Sequence, residues 1–439
     1  MKKLLLVLPR HEQGFWGHVS KSGKAGMVRL SLSTVAALTP DHWQVEILDS
    51  RVTPVNYDAP VDLVGITAFT AEIPSAYKIA DGFRQKGTPV VMGGFHVSAL
   101  PDEALEHADS VVVGEAEPVW KRVLADVEAG HLQPVYKAER VVDMNHMAVP
   151  CRHLLSRDMY STGFYTIQAT RGCPYNCEYC AVSAFFGRTY RTRPVDQVIE
   201  EIKGFDTKNF FFVDDNITGK VDYAKKLFRA LTPLKRTWGG QTAITIAKDE
   251  ELLSLYAKSG GQYAFIGFES LSEKNLARMN KSWNSPETYV KAIAKIHKKG
   301  INILGSFIFG LDDDDPGVFQ RTVEFVRKSK IDAAQFHILT PFPGTRLFDK
   351  MAADGRITSR DWGRYHTSDV VFSPSAMSAE ELQNGYWWAF RKSYSIANTL
   401  KRCLRSPRNI KSRVALNLGY RKKAMQMPNP DIHKIFQHS

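Results

Sequence analysis

The chain has 439 residues, 44% hydrophobic and 24% charged, the proportions of a soluble globular protein long enough for two domains. No apolar run reaches the roughly 18 residues that span a bilayer, and five cysteines are too few, and odd in number, for a disulfide framework. The net charge of +12 says little about any active site because it is concentrated. From Arg391 onward twelve lysines and arginines face only Asp431, which leaves +11 on the tail and +1 on everything before it.

The opening segment, Met1-Lys2-Lys3-Leu4-Leu5-Leu6-Val7-Leu8-Pro9, is too short in its apolar part for a signal peptide. It runs into Arg10-His11-Glu12 where a cleavage site would lie, so a buried first strand in a cytoplasmic protein is expected. Apolar runs at Leu4–Leu8, Val45–Leu48, Leu63–Thr67, Val90–Met92 and Val111–Val113 predict five buried strands. Helical patterns intervene near Leu30–Leu38, Ser75–Gln85, Glu103–His107 and Glu117–Glu128. This alternation predicts an α/β chain whose residues 1–130 form a doubly wound, flavodoxin-like parallel sheet. Residues 131–160, weakly periodic and proline-containing, read as a linker.

A second alternating series predicts strands at Tyr165–Thr170, Phe210–Val213, Gln241–Ile246, Tyr263–Phe268, Asn302–Ile308 and Ala333–Leu339. Helical patterns at Val195–Ile202, Tyr223–Ala230, Glu250–Ser259, Pro286–Lys299 and Val318–Lys328 separate them. Six β/α units over 161–355 predict a partial (β/α)6 barrel, followed over 356–439 by a small, mostly helical region with the basic tail. In both parallel arrangements chemistry gathers at the carboxyl ends of the strands.

Directly after the first barrel strand stands Thr170-Arg171-Gly172-Cys173-Pro174-Tyr175-Asn176-Cys177-Glu178-Tyr179-Cys180. The spacing is Cys-x3-Cys-x2-Cys. Thiolates are the usual ligands of iron–sulfur clusters, and one short loop can wrap three of them around a [4Fe–4S] cube, leaving the fourth iron open to a substrate. Zinc is the alternative. It prefers four protein ligands, often as two separated pairs, so it would need Cys151 or a histidine to complete the site.

On this spacing, with Tyr179 before the third cysteine and Arg-Gly-Cys-Pro around the first, the chain resembles the radical S-adenosylmethionine superfamily. The resemblance implies that Cys173, Cys177 and Cys180 bind the cluster and are the catalytic residues. The open iron then takes the amino and carboxylate groups of S-adenosylmethionine, and one electron splits the cofactor into methionine and a 5′-deoxyadenosyl radical. It also implies a flavodoxin- or ferredoxin-type electron donor. By position after successive strands, Glu269 is expected at the ribose hydroxyls with Ser270 beside it, and Tyr179 near the cofactor. Asp214-Asp215-Asn216 stands where the family often has Gly-Gly-Glu, so Asp215 and Asn216 are the candidates for the methionine amino group despite that departure.

Gly93-Gly94-Phe95-His96 ends the fourth strand and Gly114-Glu115 the fifth, an arrangement that looks like the cobalamin-binding domain fused ahead of many radical enzymes. Thr67, Ala68 and Phe69, after the third strand, are expected beside the corrin. Cobalamin carriers with a histidine ligand use Asp-x-His-x-x-Gly after the first strand. Here Pro9-Arg10-His11-Glu12-Gln13-Gly14 lacks the aspartate that would orient the imidazole, so His11 is expected to be a loop residue, not an axial ligand. Together the two resemblances cover about residues 1–390.

Leu339-Thr340-Pro341-Phe342-Pro343-Gly344-Thr345 is expected to close the barrel mouth beside the substrate, with Trp362, Tyr365, Tyr386, Trp387, Trp388 and Phe390 mostly in the core. The tail mixes its cations with Leu400, Leu404, Val414, Leu416 and Leu418. That pattern reads either as a solvated basic helix or as an amphipathic segment resting on an anionic membrane; no nucleic-acid module accompanies the charge. The resemblance implies a cobalamin-dependent radical methyltransferase acting on an unactivated carbon of a lipid or secondary metabolite, similar to enzymes that modify hopanoids and tetrapyrroles. Alternatives are a radical cyclase or oxidoreductase with the same two domains, and a cobalamin or iron–sulfur sensor without turnover.

Overall fold

The computed structural model describes residues 1–12, 24–139, 141–404 and 409–435. Strands Lys2–Leu8 (β1), Trp43–Asp49 (β2), Leu63–Thr67 (β3), Val90–Gly93 (β4), Ser110–Val113 (β5) and Val135–Lys137 (β6) form a wholly parallel sheet, ordered β2-β1-β3-β4-β5-β6. The order reverses at the β1/β3 boundary, and in such sheets the crevice above that point receives ligands. Strand β1 shows why both faces are covered. Leu4, Leu6 and Leu8 pack with the helices Ser31–Leu38 and Trp120–Ala129, whereas Leu5 and Val7 pack with Ile73–Gln85 on the other side.

The stretch expected as a linker is built into this domain. Strand β6 pairs with β5, and Leu155 and Tyr160 enter the same core as Leu4 and Trp120. A three-residue strand and isolated 3-10 turns are too short to display a period, so sequence pattern could not reveal them.

The second half contributes Tyr165–Ile167 (β7), Thr170–Gly172 (β8), Tyr190–Thr192 (β9), Asn209–Phe212 (β10), Thr237–Thr242 (β11), Gly261–Glu269 (β12), Asn302–Phe309 (β13) and Ala333–Ile338 (β14). Six of these form a parallel sheet ordered β14-β13-β12-β11-β10-β7, the expected partial barrel, and β8 and β9 form a separate antiparallel hairpin. The helices Val195–Lys203, Val221–Leu231, Glu250–Lys258, Pro286–Lys298 and Val318–Ser329 lie within two residues of expectation. The third barrel strand does not. It is Thr237–Thr242, and half of the expected Gln241–Ile246 run is instead in the 3-10 turn Ile244–Lys248. Trp238-Gly239-Gly240 reads poorly as a strand, yet a Cβ on Gly239 would lie 3.1 Å from Tyr263 and 3.2 Å from Phe211 of the neighbouring strands.

Helices Ala379–Ser393, Ile396–Cys403 and Ile410–Gln426 close the chain, and Tyr386, Phe390 and Tyr394 join the barrel core. The tail is therefore only partly a solvated basic helix. Arg413 is 1% exposed and donates to Asp332 at 3.0 Å, Arg402 donates to Asn417 at 2.8 Å over the Tyr394 ring, and Arg421 donates to the Tyr394 carbonyl at 2.7 Å. Val414 and Leu416 are half-buried; Arg405 and Arg408 lie outside the described residues. Among the described residues no helix is long and apolar enough to cross a membrane.

Candidate functional site

The cysteine loop spans the gap inside the β8–β9 hairpin, with Cys180 capping the helix Ala181–Phe186. Gly172 makes the turn into it. Its φ is +82°, and a Cβ there would fall 2.2 Å from the Thr189 carbonyl oxygen, so only glycine fits. The loop is held from outside. Glu178 donates its N–H to Met279 at 3.2 Å, Leu347 donates its own to Glu178 at 3.3 Å, and Asn280 and Arg346 both donate to the Asn176 carbonyl.

All three loop cysteines are free thiols and half-buried. Burial pushes Cys173 up to about 11, Cys177 up to about 12, and Cys180 upward as well. Buried thiols of this kind ionise only when a cation binds them, which is the condition a cluster supplies. Among the described residues no group of three His, Cys, Asp or Glu forms a site for a single metal ion. Cys151, the possible fourth zinc ligand, packs instead against the core of the first domain.

Phe268, Phe307 and Phe336 stack outward with Phe325 and Phe390. By strand alternation Gly267, Glu269, Ser306 and His337 therefore face the barrel interior. Glu269 ends β12 at a register shift, with φ +63° in the left-handed region where a non-glycine residue is strained. Its carboxylate, 8% exposed, accepts from Lys281 Nζ at 2.6 Å and from Tyr179 Oη at 3.2 Å. Burial alone would lower the Lys281 pKa; the charges of Glu269 and Cys177 outweigh it, and the net shift is upward. Lys281 thus stands beside the cysteines as a buried cation. Its position in Asn280-Lys281-Ser282 carries no motif, so sequence reading missed it. His337 was missed too; it lies against Thr367 Oγ1 at 2.9 Å, with burial holding its pKa down to about 4.

The three residues after β10 divide by role. Asp214 is structural, accepting from Ala169 N–H, Thr170 N–H and Thr170 Oγ1. Asp215 lies close enough to Cys173 and Cys180 to oppose their ionisation, and burial raises its own pKa to about 6. Asn216 Oδ1 accepts from Thr218 at 3.1 Å, and the Ser270 hydroxyl accepts from the Ser272 N–H at 3.1 Å, so both side chains shape turns at the barrel mouth.

In the first domain the expected turns do meet. Gly94, at φ +105°, has no room for a Cβ, which would lie 2.8 Å from Thr67 Oγ1 and 2.9 Å from the Ala68 carbonyl. Gly93 accepts from the Ala68 N–H, and Gly114 (φ +85°) borders open space and donates its N–H to Ser98 Oγ. Phe69, 48% exposed under the Arg29 guanidinium, and Phe95 beside it at 5.4 Å present an apolar face that suits a corrin ring.

Two expected ligands have other partners. His96 is buried against Trp362 and donates to Glu103 at 3.2 Å, pointing into the domain. Glu115 accepts from Arg171 at 2.7 Å, Arg191 at 2.8 Å and the Val142 N–H at 2.9 Å. A buried carboxylate with this many donors has no need of a ligand. His11 donates to the Gly363 carbonyl at 3.1 Å and lies against His366, a loop contact as expected; Gln13 and Gly14 lie outside the described residues. The loop after β14 reaches the first domain, where a Cβ on Gly344 would sit 3.0 Å from Ala99.

Comparison with known proteins agrees with this geometry. Residues 167–326 match the Radical SAM superfamily, residues 24–124 the B12 binding domain and residues 345–428 a domain of unknown function, DUF4070. The chain is 32% identical over 420 residues, 93% of this chain and 91% of the relative, to bacteriochlorophyllide d C-12(1)-methyltransferase of Chlorobaculum tepidum. It is 28% identical to hopanoid C-2 methylase of Rhodopseudomonas palustris, over 82% of this chain and 72% of that protein. The radical S-adenosylmethionine methyltransferase TsrM from Kitasatospora setae, solved with cobalamin and a [4Fe–4S] cluster, shares the fold at 15% identity, with a TM-score of 0.69 over 97% of this chain and 100% of TsrM. The cysteine loop at the barrel mouth, the glycine turns facing it and the near full-length likeness to a curated methyltransferase lead to one assignment: the chain belongs to the B12-binding radical S-adenosylmethionine methyltransferases, which use a [4Fe–4S] cluster, S-adenosylmethionine and cobalamin.

Proposed function

We propose that the substrate is a lipophilic small molecule and that the protein methylates an unactivated carbon of it; two relatives are named for methylating bacteriochlorophyllide d at C-12(1) and a hopanoid at C-2. One observation carries the reading: three half-buried thiols and the Lys281–Glu269 pair share the mouth of a barrel that abuts the Gly94 turn through Phe95 and Phe185. When bound, the cluster and S-adenosylmethionine supply a radical and cobalamin supplies the methyl group. The chain positions these groups. Cys173, Cys177 and Cys180 hold the cluster, and Lys281 meets the carboxylate of S-adenosylmethionine. Glu269 takes its ribose hydroxyls, while Asp215, Asn216, Ser270 and Tyr179 border it. Thr67, Ala68, Phe69, Gly93, Gly94, Phe95 and Gly114 receive the corrin. On this assignment residues 1–130 serve cobalamin and 161–355 the radical chemistry, in the cytoplasm, with a small electron-carrier protein as reductant.

The test is anaerobic reconstitution with iron, sulfide, cobalamin and S-adenosylmethionine, offered a tetrapyrrole or a polycyclic triterpenoid. Methylation yields S-adenosylhomocysteine together with 5′-deoxyadenosine; a cyclase or oxidoreductase yields 5′-deoxyadenosine and methionine only. Serine at Cys173, Cys177 or Cys180 removes the iron and all cleavage, and activity surviving in any one of them contradicts the assignment.

The tail supports a lipid-facing location as part of this reading. Ile396, Leu400 and Leu404 are 62%, 54% and 74% exposed at spacings of four along one helical face, with Lys392, Lys401, Lys411 and Lys422 exposed nearby and no acid between Glu381 and Asp431. The expected partner is an anionic bilayer surface. Flotation with phosphatidylglycerol vesicles, but not phosphatidylcholine vesicles, supports it; equal behaviour with both overturns it.

A further inference from the structure

The two domains touch at both ends of the cysteine loop. On the upstream side Arg171, two residues before Cys173, donates to Glu115 and to Glu117, each at 2.7 Å. Its partner across the hairpin, Arg191, donates to the other oxygen of Glu115 at 2.8 Å and to the Val142 carbonyl at 2.9 Å. These four charges are 7–16% exposed, so their attraction is little screened by water. Downstream, Phe185 in the helix capped by Cys180 stacks on Phe95 at 4.4 Å and 15°. Phe186 joins the two sides, meeting Phe95 edge-on at 5.9 Å while Arg171 and Arg191 both lie over its ring. Glu115 follows Gly114, and Phe95 follows Gly94. Each glycine turn of the B12-binding domain is thereby tied to one flank of the loop that holds the cluster.

We propose that this double clamp is a positioning device that sets the separation between the two cofactor sites, so that loosening it uncouples cleavage of S-adenosylmethionine from methyl transfer. Radical formation needs only the barrel, whereas methyl transfer needs both domains in register, and misplacement by an ångström is expensive for the step that spans them. Glu115, Arg171, Arg191 and Phe185 are positioning residues here. The inference rests on the function proposed above.

The test uses the full-length reconstituted enzyme and two variants, Glu115→Gln and Phe185→Leu, one at each end of the clamp. The expected result is a rise of roughly tenfold in 5′-deoxyadenosine formed per methylated product, with iron and cobalamin content unchanged. A residue needed only for stability lowers both products together, so an unchanged ratio in variants that retain both cofactors overturns the proposal. Hydrogen exchange is the second readout and does not depend on turnover. Faster exchange of residues 170–192 together with 112–117 in the variants supports the clamp, and exchange confined to the mutated segment overturns it. If the wild-type protein forms no methylated product, the functional reading fails, and the exchange result alone judges the clamp. Should Glu115→Gln not fold, Phe185→Leu gives the same two readouts.

Discussion

The two six-stranded sheets share a plan and treat their buried ionisable groups in opposite ways. In the first domain burial opposes ionisation of Asp49, Glu103 and Glu115, yet each is held below its ordinary value: Asp49 by Arg51, Glu103 by hydrogen bonds from His96, Tyr77 and Trp362, and Glu115 by Arg191, the Val142 N–H and Arg171. In the barrel Asp214 is pushed up to about 7 and Asp215 to about 6 by burial that their neighbours do not offset, and the thiols of the cysteine loop rise with them. In the folded chain the carboxylates of the first domain are compensated, Glu115 by arginines of the β8–β9 hairpin. The barrel is short of positive charge at the point where iron and a sulfonium cofactor would bind, which is how a binding site differs from a scaffold.

That contrast can be broken first at Lys281, the buried cation beside the cysteines. Lys281→Met leaves the Glu269 carboxylate buried without its partner and is expected to cost roughly 3–5 kcal/mol in denaturant unfolding, with Glu269→Gln added in the same chain restoring most of it. A loss under 1 kcal/mol would mean that the Lys281–Glu269 pair contributes little to the fold. Next is Gly94→Ala, strained at φ +105° and against Thr67, with an expected cost of about 1–3 kcal/mol and loss of corrinoid absorbance.

The pH response sharpens the comparison because its sign differs between the domains. Glu115, with its native pKa lowered, contributes stability that is complete above 4.5 and is lost as pH falls through the native value. Asp214, raised to about 7, contributes stability that is complete below 3.8 and is lost as pH rises toward 7. In cluster-free protein, amide protection around Val142 should therefore decline only in acid, and protection around Ala169 and Thr170 should decline from pH 4 to 7. A common direction for both would remove the distinction. The smallest effect is expected at the helical end, where Leu400→Glu with Leu404→Glu changes stability by no more than about 0.5 kcal/mol per site and abolishes vesicle binding.

Legibility followed distance along the chain. The Cys-x3-Cys-x2-Cys spacing of Cys173, Cys177 and Cys180 is legible because it is local, as are β1, β3 and the barrel helices, whose periods run over five or more residues. Strand β11 was misplaced because Gly239 and Gly240 are selected by crowding from Phe211, Phe212 and Tyr263, which lie on other strands. Glu115 and His96 were read as ligands from their place beside glycine turns. Their side chains instead turn to Arg171 and Glu103, and nothing in the neighbouring residues states that. Lys281 has no local signature, since its role comes from Glu269 and Cys177 arriving beside it.

By itself the sequence determined the two parallel sheets, the cysteine loop after β7 and the glycine turns after β4 and β5, all consequences of local period, spacing and backbone freedom. Only the tertiary structure decided which buried charges are compensated and which wait for a cofactor. The partner of a buried charge is recruited from far away, as with Arg171 for Glu115 across 56 positions and Trp362 for Glu103 across 259. A charge takes its energy from whatever stands within a few ångströms, and chain order leaves that neighbour unspecified.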